Sequence, residues 1–236
     1  MTSTPAPLLV LDLDGTIADT AGDLIGTLNN ILADEGLAPV TLESGRAMVG
    51  AGARALIERG FAASGAPLEP RKLDELFHKF LAIYEDRIAD ESFLFEGLQD
   101  SLERFAAAGW TLAVCTNKIE SASVKLLDAL GIANMFAAIC GQDTHRHEGM
   151  PVSKPDARAL TMTIALAGGD PARTVMVGDS KTDILTAQNA GIPVVAVDFG
   201  YTDAHVSTYN PDVVISHFDQ LWDAVARVCG NQQAVT

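Results

Sequence analysis

The amino-acid sequence predicts an α/β fold, a doubly wound parallel-sheet (Rossmann-like) core carrying an inserted all-helical cap. Three observations lead there. Short apolar runs with the character of buried strands recur along the chain. Between them, over residues 94–229, apolar residues fall at helical spacing, and strand–helix alternation of this kind builds parallel sheets. Directly after the first run the alternation breaks off for about 70 residues, far beyond an ordinary strand–helix connection.

The first run is Leu8-Leu9-Val10-Leu11, apolar at every position, as a parallel strand covered on both faces requires. Next, Leu24, Ile25, Leu28, Ile31 and Leu32 keep a helical period, with Thr20 as the expected N-cap and Gly36 as the stop. Leu73, Leu76, Phe77, Phe80, Leu81 and Tyr84 mark a second long helix after Pro70, and no strand is expected between the two. Residues 19–93 are therefore expected to form a helical cap, and residues 7–18 with 94–229 a discontinuous catalytic core. Within the latter, Leu98, Leu102 and Phe105 form a stripe closed by Gly109. Val124, Leu127 and Leu130 form another, closed by Gly131, a residue suited to the left-handed position after a helix. Strands are expected at Thr111–Cys115, Thr174–Val177 and Val194–Val197, with weaker ones at 137–139 and 213–215. The small and polar ends, 1–6 and 230–236, read as loose tails.

Bulk properties narrow the function. The 236 residues are 48% hydrophobic and 20% charged, enough to bury a sizeable core. A net charge of −15, from 31 acidic against 16 basic residues, argues against nucleic acid and anionic membrane surfaces as partners. An anionic ligand would need local cations. Cys115, Cys140 and Cys229 are too scattered for a disulfide framework or a C-x-x-C pair. With no membrane-spanning run and no signal-type N-terminus, the expected setting is the cytoplasm, as a monomer or small homo-oligomer.

Four polar elements fall where predicted strands run out, the side on which open α/β sheets bind ligands. The first is Leu11-Asp12-Leu13-Asp14-Gly15-Thr16. Residues two apart on extended chain point the same way, so Asp12 and Asp14 would project together, and two close carboxylates need a cation or a shared proton. Magnesium suits such a pair. Gly15 permits a sharp exit or a close ligand approach. The second, Cys115-Thr116-Asn117-Lys118, offers a hydroxyl, an amide and backbone N–H groups at a helix start, a natural phosphate cradle. The third is Lys154, ahead of Pro155, a cation able to neutralise phosphate. The fourth, Gly178-Asp179-Ser180 with Asp183 one helical turn on, places Asp179 to complete a metal site and Asp183 to support it. Each element alone has a plainer reading as a cap or a turn.

In this order the four elements resemble the four motifs of the haloacid dehalogenase-like hydrolase superfamily, and the resemblance covers nearly the whole chain. It implies that Asp12 is a nucleophile and Asp14 a general acid and base. Thr116, Asn117 and Lys154 would bind the transferring phosphoryl group. Magnesium would be held by Asp12, Asp14 (through its backbone carbonyl) and Asp179, with Gly15, Thr16, Gly178 and Asp183 in support. Within the superfamily the sequence is most similar to bacterial phosphoglycolate phosphatases. Asp19-Thr20-Ala21-Gly22-Asp23-Leu24, Val49-Gly50-Ala51-Gly52 and Phe199-Gly200-Tyr201 carry that likeness, with Ala157 in place of a second proline after Lys154-Pro155-Asp156. The implied substrate is a small anionic phosphate ester, 2-phosphoglycolate foremost. Rival readings are a phosphatase for another small ester, a sugar phosphomutase, a dehalogenase, or a phospho-accepting receiver domain. Dehalogenation has no use for the acid Asp14, and a receiver carries its phosphorylated Asp after a later strand.

Two further clusters attract attention. Gly50-Ala51-Gly52-Ala53-Arg54-Ala55 fits a dinucleotide-binding glycine pattern, but it lacks a preceding strand, so that reading is declined. Arg46 and Arg54, flanking these glycines, are instead candidates to meet a substrate carboxylate. His145 and His147 stand two apart as a zinc pair would, without evident further ligands, and are expected in a solvated loop.

Overall fold

A computed structural model describes residues 5–202 and 204–233, with side chains up to residue 230. The strands in chain order are β1 (Leu8–Leu11), β2 (Ala18–Asp19), β3 (Phe93–Leu94), β4 (Thr111–Cys115), β5 (Ala138–Cys140), β6 (Arg146–His147), β7 (Met150–Pro151), β8 (Thr174–Gly178), β9 (Val194–Val197) and β10 (Val213–Ile215). The helices are α1 (Ala21–Asp34), α2 (Leu42–Arg46), α3 (Ala53–Ala63), α4 (Pro70–Asp86), α5 (Leu98–Ala107), α6 (Glu120–Ala129), α7 (Ala157–Leu166), α8 (Lys181–Ala190) and α9 (Leu221–Gln233).

Six strands form one parallel sheet in the order β10-β9-β8-β1-β4-β5. The chain moves outward from β1 to β5, then returns to the other side of β1 with β8, so the order reverses beside β1. Ligands of open α/β sheets bind in the crevice at such a reversal. Register sharpens the point, because Leu11 lies level with Val114 of β4 and Val177 of β8. The residues that follow these three strands therefore emerge side by side.

The fully buried β1 divides its side chains between two layers, as a period of two demands. Leu8 and Val10 join a cluster with Leu160 of α7 and Ile184 of α8. Leu9 and Leu11 join the opposite cluster with Leu102 of α5, Leu126 of α6 and Val225 of α9. That second cluster continues through Leu13 and Ile17 into Leu28 and Ile31 of α1 and Phe80 of α4. The inserted helices thus share an apolar core with one face of the sheet.

Four helices, not two, lie between β2 and β3, which pair antiparallel at the point where the insertion leaves and returns. Short α2 and glycine-containing α3 give weak periodic signals. In α3, Gly60 packs so closely on Leu28 that a Cβ there would lie 2.6 Å from Leu28 Cδ2, so helix packing selects a poor helix former. A second correction concerns the C-terminus. Helix α9 runs to Gln233, so the tail expected from residue 230 is helical as far as it is described. Polar residues lower helix propensity only slightly, so polarity alone does not mark a loss of structure. Residues 1–4 and 234–236 lie outside the described residues, while Pro5 accepts a hydrogen bond from Arg173 at 2.5 Å. No helix among the described residues is long and apolar enough to cross a membrane.

Candidate active site

Asp12 follows β1 directly, and its N–H donates to Val177 O at 2.9 Å, which keeps it in the sheet's alignment. Its carboxylate is buried beside those of Asp179 and Asp183, with one oxygen from each of the three within 4.8 Å of the others. Lys154 Nζ lies between two of them, 2.7 Å from Asp12 Oδ1 and 2.5 Å from Asp183 Oδ1. Asp183 also accepts from the N–H and hydroxyl of Ser180 at 3.1 and 2.6 Å, closing the capping box that starts α8. Asp179 accepts from Thr16 Oγ1 at 3.1 Å and from the N–H of Tyr201 at 2.6 Å.

Glycines make this crowding possible. A Cβ on Gly15, whose φ is +84°, would lie 2.3 Å from Asp179 Oδ2, and one on Gly178 would lie 2.3 Å from Asp183 Cβ. Only glycine allows the backbone this close to the carboxylates.

Three buried carboxylates share one ammonium, and the electrostatics register the excess. Burial, reinforced by Asp183, pushes Asp12 up to about 7 although Lys154 opposes it. Burial raises Asp179 well above the usual carboxylate range, with Asp183 and Asp12 adding to the effect. Burial disfavours the charge of Lys154, but Asp12 and Asp183 outweigh it and hold the ammonium above its ordinary value.

Asp14 turns away from this cluster. Its carboxylate accepts from Lys118 Nζ at 2.8 and 3.0 Å and from Thr20 Oγ1 at 2.7 Å. Lys118 is itself buried, its Nζ 4.7 Å from the centre of the Tyr84 ring. Asp12, Asp14, Thr116 and Lys118 line one cavity, whose other walls include Leu56 and Phe80 of the inserted helices.

The arrangement can be set beside known proteins. A family model for haloacid dehalogenase-like hydrolases matches residues 9–197. The chain belongs to this family. Among relatives, a phosphoglycolate phosphatase of Mesorhizobium japonicum is 51% identical over 215 residues, covering 91% of this chain and 92% of its own. One from Caulobacter vibrioides is 48% identical over 210 residues, covering 89% and 86%. The crystal structure of a predicted phosphoglycolate phosphatase from Haemophilus somnus is similar with a TM-score of 0.82 at 26% identity, over 92% of this chain and 97% of that one.

In this haloacid dehalogenase-like hydrolase the donor set fits a hard divalent cation. Asp12 Oδ1, although close to Lys154, is buried without a directed hydrogen bond. Three carboxylates and one ammonium leave two charges uncompensated, and all the donor atoms are oxygens. Asp183, expected as a supporting residue, stands inside this cluster. The side chain of Asp14 does not, so a contribution from Asp14 to a metal would come through its backbone.

Not every expected residue brings a free side chain to the cavity. Thr116 is buried at the cavity, its hydroxyl accepting from the N–H of Lys118 at 3.2 Å. Asn117 lines the cavity, but its side-chain amide is already engaged. It exchanges hydrogen bonds with the backbone of Lys154, at 3.2 and 3.0 Å, and so fixes the loop that carries the lysine. Arg46 pairs with Asp19 at 2.7 Å and lies over the Tyr201 ring, while Arg54 pairs with Asp74 at 2.5 Å and lies over Phe77. Neither lines the cavity, because each has an acidic partner nearer at hand. Thr20 stands at the N-cap position of α1, but its hydroxyl goes to Asp14. The helix start is satisfied instead by Tyr201 Oη, which accepts from the N–H groups of Thr20 and Ala21 at 2.6 and 3.0 Å. His145 is buried, with its ring held below the ordinary histidine value by burial, and only His147 is exposed, in the β6–β7 hairpin. Among the described residues neither histidine belongs to a cluster able to hold a metal.

Sequence reasoning missed Lys118, although it follows Thr116 and Asn117 directly. A lysine at a strand end carries no pattern of its own, and only the fold brings it to Asp14. Tyr201 was noted only for likeness, and Tyr84 only as part of a buried helical stripe.

Proposed function

We propose that this chain is a magnesium-dependent phosphatase acting on small phosphate monoesters, with 2-phosphoglycolate as its substrate. The observation that carries the reading is the division of labour between two carboxylates on one strand end. Asp12 lies in a cation-demanding cluster with Lys154, while Asp14, two residues on, is held apart in a one-to-one pair with Lys118. The relatives' names supply the substrate.

In the proposed reaction a carboxylate oxygen of Asp12 attacks phosphorus in line, and the bond to the leaving alkoxide breaks. Asp14 gives that alkoxide its proton. The aspartyl-phosphate is then hydrolysed by water, whose proton Asp14 takes back, and Asp12 is released with inorganic phosphate. Lys154 and the Thr116 loop hold the phosphoryl oxygens as charge shifts among them. Magnesium, which Asp12, Asp179 and the backbone of Asp14 would hold with Asp183 in the same carboxylate cluster, would neutralise the surplus charge and screen the nucleophile from the anionic ester. Residues 19–93 are read as a cap over residues 7–18 and 94–229, closing to exclude water and opening to release product. The proposed setting is the cytoplasm, as a monomer or small homo-oligomer.

A magnesium-dependent screen of small phosphate esters tests the reading, with Asp12→Asn as control. Phosphate release from 2-phosphoglycolate is expected from the native enzyme and not from the variant. Release that persists in the variant would remove Asp12 from the mechanism.

A further inference from the structure

The cavity wall contains two polar groups that the chemistry above does not use. Tyr84, on α4, is buried beside the Lys118 ammonium, yet its hydroxyl finds no acceptor for its own proton among the described residues. A buried hydroxyl left unpaired is costly, and such groups are ordinarily satisfied. Gln142, in the loop after β5, is half-buried, and its side-chain amide makes no hydrogen bond among the described residues. Its backbone N–H, by contrast, is fixed on Lys118 O at 3.0 Å. The loop between α2 and α3 presses on it, since a Cβ on Gly52 would lie 3.3 Å from Gln142 Oε1 and 3.1 Å from the carbonyl of Asn117.

The other polar side chains lining the cavity either have partners or, like Asp12, belong to the chemistry above. Asp14 and Lys118 hold each other, the amide of Asn117 holds the Lys154 backbone, and the Thr116 hydroxyl serves Lys118 N. Apart from Asp12 and the Thr116 O–H, which belong to the phosphoryl chemistry above, the groups left to meet a ligand are the Tyr84 phenol O–H and the Gln142 carboxamide NH₂, both hydrogen-bond donors. Burial pushes the Tyr84 hydroxyl up to about 12, so it keeps its proton at neutral pH and donates. The Lys118 ammonium beside the Tyr84 ring makes this part of the wall attractive to an anion. Beyond it the wall turns apolar at Leu24, Leu56 and Phe80, which offer nothing to a longer polar chain.

Resting on the phosphatase reading above, we infer that Tyr84 and Gln142 are specificity-determining residues that donate hydrogen bonds to a carboxylate on the leaving-group side of the ester. A carboxylate presents two oxygens with several lone pairs and can satisfy both donors at once. A site built to hydrogen-bond a ligand group rejects an analogue lacking that group, because its own donors are then left unpaired.

The test compares 2-phosphoglycolate with ethyl phosphate, an ester of the same carbon count without the carboxylate. For the native enzyme with magnesium, kcat/KM is expected to favour 2-phosphoglycolate. Tyr84→Phe and Gln142→Ala should each reduce that preference by about tenfold or more, chiefly through KM for 2-phosphoglycolate, the scale of one hydrogen bond to a charged group. Gln142→Glu sets carboxylate against carboxylate and should reduce the preference further, while a native-like circular dichroism spectrum shows that the variant is folded. A preference ratio unmoved in all three variants overturns the inference, as does an equal loss on both esters, which would mark the residues as structural. Native enzyme that cleaves both esters equally also overturns it while leaving the phosphatase reading intact. Native enzyme that cleaves neither ester removes the phosphatase reading and this inference with it.

Discussion

Asp12 and Asp14 line the same cavity, yet the carboxylate–lysine clusters they belong to are built on opposite electrostatic plans. In the first, Lys154 is buried among Asp12, Asp179 and Asp183, a surplus of negative charge that burial makes costly. In the second, Lys118 answers Asp14 one to one, with the Thr20 hydroxyl completing the carboxylate's partners. The surplus invites a divalent cation; the balanced pair does not. A single D-x-D sequence therefore serves two purposes, because strand-end geometry sends its side chains to different neighbours.

The sharpest way to break the comparison is to remove the nucleophile. Asp12→Asn is expected to lower kcat by a factor on the order of 10⁴ or more, measured as phosphate release under saturating ester. Lys154→Met should come next. It leaves Asp12 and Asp183 facing each other uncompensated, and a loss of about 3 kcal/mol is expected in urea unfolding of the metal-free protein. Magnesium should restore part of that stability, whereas an equal loss with and without the metal would contradict a surplus-charge site.

A subtler pair of variants sharpens the distinction. Asp179→Asn should raise the magnesium concentration needed for half-maximal activity by about tenfold or more. Lys118→Met should lower kcat while leaving that concentration within about twofold, because its partner takes no part in the carboxylate cluster. Matching shifts in both variants would show the two clusters to be one.

The smallest expected effect concerns pH. Asp12, raised to about 7, and Asp179, raised well above its usual range, hold protons in the folded state that the unfolded chain releases near pH 4. Where the folded state binds more protons, stability falls as pH rises. In a chelator, Tm should therefore decline between about pH 4 and 7. Magnesium at about one hundred times its Kd should add about 2.7 kcal/mol at neutral pH, and less at pH 5, where protons compete for the same oxygens. A magnesium-induced Tm increase larger at pH 5 than at pH 8 would contradict this.

Much of the fold was legible because its signals are local. Leu8–Leu11, Thr111–Cys115 and Val194–Val197 are apolar enough to be strands wherever they are placed, and Gly109 and Gly131 close their helices as expected. The strand-end acids were legible for the same reason, since a polar motif after a buried run has few places to go. The ion pairs of Arg46 with Asp19 and of Arg54 with Asp74 were not legible, because charge and chain position say nothing about which acid lies nearer. That the amide of Asn117 is satisfied by a backbone 37 residues away was not legible, because no local pattern signals so distant a partner.

By itself the sequence determined an α/β chain with four polar strand ends, an all-helical insertion after the first of them, and the residue types of a phosphoryl-transfer site. Hydrophobic periodicity and glycine placement carry the fold within windows of a few residues, and the reading of the site rests on the likeness of its four motifs to a known family. Only the tertiary structure decided that Asp183 joins Asp12 and Asp179, that Lys118 takes Asp14 out of that cluster, and that Tyr84 and Gln142 face the cavity unpaired. Those outcomes depend on distances between segments far apart in the chain. Burial then fixes their energetic weight, because a charge or a hydroxyl removed from water must find its partner wherever the fold provides one.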